Sequence, residues 1–547
     1  WNATRIIPAE PDGVGAINEF PLFTFLYADL HAHLMALPLT QLALGVVLQW
    51  ATGPLQREIA TGRWAKVKTW LPHPLPTFLL AALVGGALRA TNTWDYPTFL
   101  GLMGMAYLLC FLGMADPRPD LRRLLTPVLL LLTAELLFRP FTANYAIVYS
   151  SFGPWTGEKT TLVDFLLMQG HLLFPLLLLG AAQLWLLGGR LYRLADPTAM
   201  MTLGIIAIIT GLLTLLLVRL GVTIAWIVLP LAMTAAFLVL DPESTPRTRV
   251  LWLLAGTALV LCLAVELIVL EGDIGRMNTV FKFYCQVWTF LALGAAVAVE
   301  RILSTGLLTT AGDERPADDA EHSVWPIMHK APTWVGDWAL GLVILSLFAT
   351  LLYPLLAIPW RIRDRWVEDA PRTLDGMAYM PHAVVYERGS QINLAADYQV
   401  IRWLQEHVEG SPVIMEMNAH VEYVMWGNRV SIYTGLPSVI GWRWHQVQQR
   451  GVMPPGTVEA RQMAVIEFYE TPDPDRALEI LRRYDVTYVI LTPYERAYMS
   501  QPPLEGGGEG SAPTAHSAMD KFRILVERGE LDIVYLDGQS LIYQVRR

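Results

Sequence analysis

The sequence predicts an α-helical polytopic membrane protein of about ten transmembrane helices, with a C-terminal extracytoplasmic α/β domain. Of the 547 residues, 54% are hydrophobic and only 16% are charged, whereas ordinary soluble domains are about 25% charged. The mean hydropathy of +0.39 comes from long uncharged runs such as 172–187. After about residue 390 the composition becomes that of a soluble domain. We therefore expect most of the chain before that point to lie in a membrane.

Composition also argues against several classes of function. The net charge is −9 and no basic patch is present, so nucleic acid is not an expected partner. Three cysteines, Cys110, Cys262 and Cys285, lie in or beside apolar runs, which excludes a disulfide scaffold and a thiolate metal site. No cleavable signal peptide is visible. Because the chain begins with Trp1, we expect a further N-terminal part in the cell.

The transmembrane segments follow from length, since a helix needs roughly 20 apolar residues to cross the hydrocarbon. Ten segments qualify, at 32–50, 75–91, 96–115, 124–139, 162–187, 201–218, 222–240, 250–270, 284–303 and 337–357. They divide the chain into an extracytoplasmic segment 1–31, a transmembrane domain 32–357, a linker 358–389 and an α/β domain 390–547.

Basic residues predict the orientation, because Lys and Arg are retained on the cytoplasmic side. One set of alternate loops holds 14 of them and the other set holds six. The first set is therefore expected in the cytoplasm, and both chain ends are expected outside a cytoplasmic (inner) membrane. Three ionisable residues within the segments, Glu135, His171 and Glu266, all fall in the outward half. Such groups usually line a cavity or pair with one another, so we expect a polar cavity that opens outward.

The C-terminal part alternates helix and strand patterns, which indicates an α/β domain. The stripe in 395–408 predicts a helix, the runs PVIMEM, RVSIY and TYVIL predict strands, and 532–545 predicts a hairpin that turns at Asp537 and Gly538. No glycine-rich phosphate motif is present, so no nucleotide is expected there.

A loop at 433–451 within this domain is rich in aromatic and polar side chains and poor in ordinary packing residues. It is interpreted as a recognition loop that caps the outward cavity, and the alternative is a packing loop held by its Trp residues. The residues expected to bind substrate are Trp442, Trp444, His445, Gln449 and Arg450.

The motif ADLHAH places Asp29, His31 and His33 at the mouth of a predicted membrane helix. A carboxylate beside imidazoles suits a general base oriented by histidine, or a divalent metal site formed by the same three residues. The alternative is helix capping by Asp29 with interfacial histidines.

Two further outward motifs are candidate substrate sites. The loop after Leu270 carries Glu271, Asp273, Arg276, Asn278 and Lys282. Arg276 and Lys282 are expected to hold a lipid phosphate, and the alternative is a solvated turn with local ion pairs.

The motif TNTWDYP holds Asn92, Trp94 and Asp95. A carboxylate beside an aromatic ring can bind a sugar, because the ring packs on its CH surface while the acid accepts hydroxyl hydrogens. The alternative is a helix terminus with an aromatic belt residue.

Four blocks, at 19–39, 91–102, 275–288 and 434–451, resemble the YYY family of polytopic membrane proteins, which carries a domain of unknown function. The resemblance covers nearly the whole chain, although the triple tyrosine that names the family is absent. By architecture the family is similar to membrane glycosyltransferases of the C-type fold (GT-C), which is an analogy at the level of fold.

The resulting expectation is an enzyme that moves a sugar from a polyprenyl-phosphate-linked donor to an acceptor glycan, lipid or protein at the outer face of the membrane. Its partners would be membrane lipid and the lipid-linked donor, and its cofactor at most a divalent cation. A transporter or channel, or a non-catalytic membrane scaffold subunit, are the alternatives. Paired broken helices in two matching halves would favour a transporter, and none are evident.

Overall fold

The computed structural model describes most of the chain. The described ranges are 2–7, 15–27, 31–52, 75–109, 121–145, 151–193, 197–271, 275–304, 333–387, 389–418, 425–449, 453–499 and 515–546. The chain forms two compact units, of which the first comprises Trp1–Tyr145 and Tyr149–Ile362 and the second is mainly Arg363–Arg547.

The first unit is helical. Its helices are α1 Pro21–Tyr27, α2 Ala32–Thr52, α3 Leu75–Thr91, α4 Asp95–Leu109, α5 Leu121–Leu137, α6 Arg139–Thr142, α7 Leu162–Arg193, α8 Pro197–Arg219, α9 Ala225–Leu240, α10 Pro246–Leu267, α11 Gly275–Ser304 and α12 Thr333–Arg365. Two short strands, β1 Phe152–Pro154 and β2 Ile268–Leu270, pair antiparallel.

Six helices of the described residues are long and apolar enough to cross a membrane, namely Ala32–Thr52, Leu162–Arg190, Pro197–Arg219, Pro246–Leu267, Gly275–Leu303 and Leu340–Arg365. Three shorter apolar helices accompany them, at Leu75–Thr91, Leu124–Leu137 and Ala225–Leu240. The chain is thus a membrane protein with several candidate spans. A total of ten spans remains a prediction.

The candidate spans differ in how much of their surface the protein itself buries. Only 6% of the apolar window of α8 is buried, against 61% for α10 and 67% for α11. The fully buried side chains Trp252, Tyr284 and Phe290 belong to α10 and α11. These two helices therefore form the centre of the first unit, while most of the surface of α8 is left exposed by the described residues.

Polar contacts join helix ends across the first unit. At one end, Gln286 near the start of α11 donates to the carbonyl oxygen of Trp94 at 3.1 Å, and Thr223 before α9 donates to the carbonyl oxygen of Thr160 before α7 at 3.3 Å. We call this the Lys282 end, after a residue on the first turns of α11.

At the opposite end, Arg190 of α7 donates to Asp241 after α9 at 2.7 Å, and Arg301 of α11 donates to Thr248 of α10 at 2.9 Å. In each of these four bonds, the two partners lie at or near loops of the same set: both in the set rich in basic residues, or both in the other set. The up-and-down order of the helices thus agrees with the loop partition. Which end faces outside remains a prediction from the basic residues.

The second unit contains a four-stranded sheet of order β5–β6–β8–β7. Its elements are β3 Val384–Glu387, β4 Ser390–Asn393, α13 Ala395–His407, β5 Val413–Met415, α14 Arg429–Thr434, α15 Arg443–Gln449, α16 Thr457–Glu470, α17 Pro474–Arg483, β6 Val486–Leu491, α18 Pro493–Met499, α19 Ala515–Glu527, β7 Leu531–Asp537 and β8 Ser540–Val545. Strands β5 and β6 are parallel, and β8 pairs antiparallel with both β6 and β7.

The predicted hairpin is present, since Asp537 pairs with Ser540 and Gly538 has a φ of +56°, a region that glycine adopts without strain. One prediction for this unit is wrong. RVSIY, predicted as a strand, forms α14. The backbone N–H groups of Val430 and Ser431 donate to the carboxyl of Glu416, each at 2.9 Å, so a distant acid caps this helix and overrides its β-branched composition.

Candidate functional site

The Lys282 end gathers polar side chains from four parts of the first unit: the N-terminal segment, α2, the α3–α4 turn and α11. We call these side chains the Lys282 cluster. Its members are Glu19, Thr24, His33, Asn92, Asp95, Lys282 and Gln286.

A carboxylate and an imidazole meet in the first half of the cluster. Thr24 Oγ1 donates to Glu19 Oε1 at 2.5 Å, and His33 Nε2 lies 3.3 Å from the same carboxyl oxygen. His33 is only 6% exposed, and its Nδ1 atom has no hydrogen-bond partner among the described residues. An acid next to an imidazole with one nitrogen unused is an arrangement that can accept and pass on a proton.

A second carboxylate is held by amides. Asn92 Nδ2 donates to Asp95 Oδ2 at 2.9 Å, and Gln286 Nε2 donates to Asp95 Oδ1 at 2.8 Å. Asp95 is 5% exposed and begins α4. The two amides fix the rotamer of this acid, yet each carboxylate oxygen keeps a lone pair for a further donor.

Lys282 links the two halves. It is 7% exposed, and its charge acts on both His33 and Asp95. Its neighbour Phe281 packs edge-on against His33, with ring centres 4.8 Å apart, and against His31 at 5.9 Å. A buried ammonium is expensive in a membrane protein, which marks Lys282 as a candidate for function.

Five of the predicted site residues therefore come together at this end, namely His31, His33, Asn92, Asp95 and Lys282. Trp94 lies beside them, since its carbonyl oxygen accepts from Gln286 and its ring packs edge-on against Phe283 at 5.4 Å. Sugar contact by these residues is not tested and stays a prediction.

Arg276 occupies a different environment. Its Nη2 atom donates to Glu266 Oε1 at 2.6 Å and to Thr160 Oγ1 at 2.8 Å. Its Nη1 and Nε atoms donate to the carbonyl oxygens of Glu158 at 3.0 Å and Val265 at 3.4 Å. With four acceptors in place, the guanidinium locks α10 to α11. This geometry favours a structural role over the predicted contact with a lipid phosphate.

Glu266 completes that lock. It is fully buried and accepts from the backbone N–H of Thr160 at 2.9 Å. Arg276 and Lys282 are six residues apart on α11, so they point about 120° apart around its axis. They cannot grip one phosphate together without a change in the helix.

The first 291 residues match a family model described as "uncharacterized membrane protein (DUF2298)", which is more than half of the chain. The chain belongs to this family. The resemblance to a family of polytopic membrane proteins of unknown function is thus confirmed. Every member of the Lys282 cluster lies within the region that defines the DUF2298 family.

Among solved structures, the chain is similar to the archaeal oligosaccharyltransferase AglB from Archaeoglobus fulgidus, in complex with an inhibitory peptide and a dolichol-phosphate. The identity is 14% and the TM-score is 0.34 over 86% of this chain. The DUF2298 chain spans about half of that protein, at 53% of its length. A search of curated proteins finds no match.

Other predicted residues of this DUF2298 protein lie apart from the cluster or outside the described residues. Glu271 accepts from Ser151 Oγ at 3.1 Å and is exposed. Asn278 is half-buried near the start of α11. Asp29 and Asp273 lie outside the described residues, so the prediction of Asp29 as a base is untested.

The predicted metal site is also untested. No group of three or more His, Cys, Asp and Glu side chains within the described residues could hold a metal ion. The predicted set of Asp29, His31 and His33 includes one residue beyond them, so that set stays a prediction.

The sequence interpretation missed Glu19, Thr24 and Gln286. Glu19 precedes α1 by two positions and lies 12 residues before His31, the first residue of the HxH motif. The signal available was an isolated acid within an aromatic run, in the segment EFPLFTF.

The segment predicted as a recognition loop lies in the second unit, and the prediction of a loop is wrong for its second half, which forms helix α15 at Arg443–Gln449. The ring centres of Trp442 and His445 are 5.5 Å apart. Asn418 Nδ2 donates to the carbonyl oxygen of Gly441 at 2.9 Å, and Asn428 Nδ2 to that of Ile440 at 2.9 Å. These two asparagines hold in place the backbone directly before α15.

The other residues predicted to bind substrate in this segment have the following surroundings. Trp444 is half-buried, as is His445. The side chain of Gln449 and all of Arg450 lie outside the described residues. A contact between this loop and the cavity of the first unit is untested.

A buried ion network lies beside the loop, at the carboxyl ends of β5 and β6. Arg429 Nε donates to Asp397 Oδ1 at 2.6 Å, and its Nη2 donates to Glu495 Oε2 at 2.9 Å. Glu416, directly after β5, shares this surrounding, and all four side chains are fully buried. Burial raises the pKa of Glu416 to about 7, although Arg429 and two backbone N–H donors lower it. Burial also raises the pKa of Asp397.

Proposed function

We propose that this protein is an integral membrane glycosyltransferase that moves a sugar from a polyprenyl-phosphate-linked donor to an acceptor at the outer face of the cytoplasmic membrane. The observation that carries the proposal is the Lys282 cluster. It brings together a buried ammonium, a carboxylate–imidazole pair and an amide-held carboxylate, at the end of the bundle that the basic residues predict to be outside.

The chemistry asks for two kinds of group. The acceptor hydroxyl attacks the anomeric carbon of the sugar, the bond from that carbon to the phosphate oxygen breaks, and its electron pair leaves with the phosphate. A carboxylate takes the hydroxyl proton, which typically contributes about 10² to 10⁴ in rate. A cation stabilises the charge that gathers on the leaving phosphate.

Lys282 is the proposed phosphate ligand of this scheme. Its buried ammonium is a point charge that accepts any orientation of a phosphate oxygen. Glu19 joins Asp29 as a candidate base, because Thr24 and His33 hold its carboxyl in one orientation. Asp95 is proposed to orient the sugar through a hydroxyl group.

The remaining predicted residues enter the proposal in supporting roles. Asn92 fixes Asp95, and Arg276 maintains the fold near the site. Trp442, Trp444, His445, Gln449 and Arg450 are proposed to select the acceptor.

The test is sugar transfer by the purified chain in proteoliposomes that contain radiolabelled polyprenyl-phosphate sugars and a mixture of lipid and peptide acceptors. Glu19→Gln should reduce transfer by at least about 10² while leaving donor binding nearly unchanged, because the isostere removes only the base. Lys282→Met should weaken donor binding and slow turnover together.

Glu243→Gln is the matched control, because Glu243 is an exposed acid at the opposite end of the bundle. Normal transfer by folded Glu19→Gln would leave Asp29 as the candidate base, to be checked with Asp29→Asn. Normal transfer by folded Lys282→Met, or no transfer of any sugar by the unaltered chain, would contradict the proposed function.

A further inference from the structure

An apolar groove lies between α1, α2 and α11 in the first unit. It has a volume of about 360 Å³ and is open on one side. Its lining includes Pro21 and Phe25 from α1, Leu37 and Pro38 from α2, and Trp288 and Ala292 from α11. Nothing in the proposed function yet uses this groove.

The groove begins where the Lys282 cluster ends, on all three elements. Leu37 follows His33 by one turn of α2, and Pro21 follows Glu19 by two residues. Thr289, which also lines the groove, follows Lys282 by seven residues, which is two turns and about 10 Å along the same face of α11. A single ligand can therefore reach from the cluster into the groove.

The wall beside the cluster is aromatic. Phe20 stacks on Trp288, with ring centres 6.0 Å apart, and packs edge-on against Tyr353 of α12 at 4.8 Å. Phe25 is 60% exposed at the open side. A hydrocarbon chain would contact such a surface on three sides. A polar ligand would find almost no hydrogen-bond partners there.

Apolar surface is ordinary on membrane helices, since lipid covers it. The concave shape and the buried ammonium at one end set this groove apart. A ligand that satisfies both parts has a hydrocarbon chain and an anionic head, because the chain fits the groove and the anion pairs with Lys282.

We propose that the α1–α2–α11 groove seats the hydrocarbon chain of a lipid phosphate whose phosphate group lies against Lys282. This inference rests on the proposed function, because the same lipid phosphate would be the carrier of the sugar. It adds the path of the chain and the residues that select a lipid over a soluble sugar phosphate.

The test is photolabelling of the full purified chain in detergent with geranyl phosphate that carries a diazirine group on its chain. We expect the label on peptides from α2 and α11. Ala292→Trp fills the groove and should reduce labelling by about tenfold, which corresponds to a loss of about 1.4 kcal/mol. Leu212→Trp is the matched control, because Leu212 is 62% exposed on α8 and its labelling background should stay unchanged.

Phe25→Glu is a second groove variant that leaves the packed interior intact, since Phe25 is largely exposed. It should reduce labelling to a similar extent by placing a charge in the path of the chain. Lys282→Met should reduce labelling by the phosphate probe and leave labelling by diazirine-bearing geraniol unchanged.

The outcomes separate the groove from the proposed function. Labelling that both groove variants reduce supports the groove, even if no sugar transfer is found, in which case the function alone fails. Equal labelling of the unaltered chain and folded Phe25→Glu would overturn the groove proposal. So would displacement of the probe by inorganic phosphate at the same concentration as by geranyl phosphate, because the chain would then add nothing.

Discussion

Arg276 and Lys282 lie on the same helix within six residues of each other, yet the structure gives them different surroundings. In the Lys282 cluster, His33 Nδ1 and Gln286 Oε1 have no hydrogen-bond partner among the residues that the structure describes. Arg276 has its acceptors supplied by Glu266, Thr160 and two carbonyl oxygens. The four acceptors around Arg276 make it a structural residue, and the proposed ligand site rests on the Lys282 cluster.

Arg276→Met is accordingly expected to unfold the protein more easily. It leaves Glu266 buried without its counter-ion, a change that typically costs about 3 to 5 kcal/mol. The measurement is thermal unfolding of the purified chain in detergent. Glu266→Gln combined with Arg276→Met should regain part of the loss, because no buried charge then remains unpaired.

The exposed pair of Arg402 and Glu406 provides the control for that experiment, since Arg402→Met should change stability by less than about 1 kcal/mol. If the Arg276→Met protein had normal stability but weaker donor binding, the result would contradict the structural role and support the prediction that Arg276 binds a phosphate.

Glu416 makes the stability of the second unit depend on pH. Its pKa is raised by burial to about 7 from an ordinary 4.5, so the folded unit holds a proton between these values that the unfolded chain has lost. Stability should therefore fall as pH rises from 4.5 to 7, by an amount on the order of 3 kcal/mol. Asp397, with its pKa also raised by burial, acts in the same direction.

Unfolding of the second unit in urea at several pH values from 5 to 7 measures this effect. Glu416→Gln should flatten the slope, because it removes the titrating group. The pH range stops at 7 because burial lowers the pKa of Lys521 to about 7. Above that pH, the titration of Lys521 makes the free energy of unfolding rise with pH, which is opposite to the effect of Glu416. Stability that rises between pH 5 and 7 would contradict the prediction.

Residues in the cluster were predictable in part. His33, Asp95 and Lys282 stood out because ionisable groups beside membrane helices are rare enough to be noticed singly. The hydrogen bond from Arg276 to Thr160 was not predictable, because Thr160 is 116 residues away. Local sequence gives no measure of such distances.

At the level of elements, helix α1 depends on the end of α12. Arg361 Nε donates to the carbonyl oxygen of Leu26 at 3.1 Å, Nη2 donates to that of Tyr27 at 3.3 Å, and the guanidinium lies over the Tyr27 ring at 5.1 Å. A cation at the last carbonyl groups of a helix stabilises its C-terminus. A seven-residue helix needs such help, since short helices are marginal alone.

Arg361→Gln should therefore loosen α1 and reduce labelling of the groove by geranyl phosphate a fewfold, with little change in global unfolding. Arg363→Gln is the control, because Arg363 lies two residues further along α12 and in the second unit. A fall in labelling that is equal in both variants would show that α1 does not depend on this contact.

The bounds of some elements were predictable and those of others were wrong: the segment predicted at 284–303 begins at Gly275, and the segment predicted at 337–357 extends from Thr333 to Arg365. The helices at 75–91 and 395–408 were predicted within one residue of those observed, because apolar runs and stripes are local properties. The helix α14 was not, because Glu416 that caps it lies 13 residues before its start.

At the scale of the whole molecule, the order of helix ends agrees with the loop partition, and the direction across the membrane is the next quantity to measure. In a cysteine-free background, Arg247→Cys should resist a membrane-impermeant maleimide in intact cells, because it belongs to the basic set of loops. Ser151→Cys at the Lys282 end should react. The reverse labelling pattern would mean that the protein has the opposite orientation in the membrane, with the Lys282 cluster on the cytoplasmic side.

The architecture as a whole was predictable from composition, because a membrane imposes both length and hydropathy on the helices that cross it. The sheet order of the second unit was not. The sheet order depends on pairing between strands that are far apart in the sequence, as β5 and β6 are, about 70 residues apart.

The Glu266–Arg276 pair also has a consequence for how the chain enters the membrane during synthesis. Glu266 at the end of α10 would oppose release of that helix into lipid, because an unpaired acid is costly in the hydrocarbon. The opposite charge follows ten residues later, on the next helix, while Thr160 has already been made. We expect α10 and α11 to leave the translocon together as a hairpin. Nascent chains truncated after Glu271 should then integrate α10 poorly, and those that extend past Ser304 should integrate it fully.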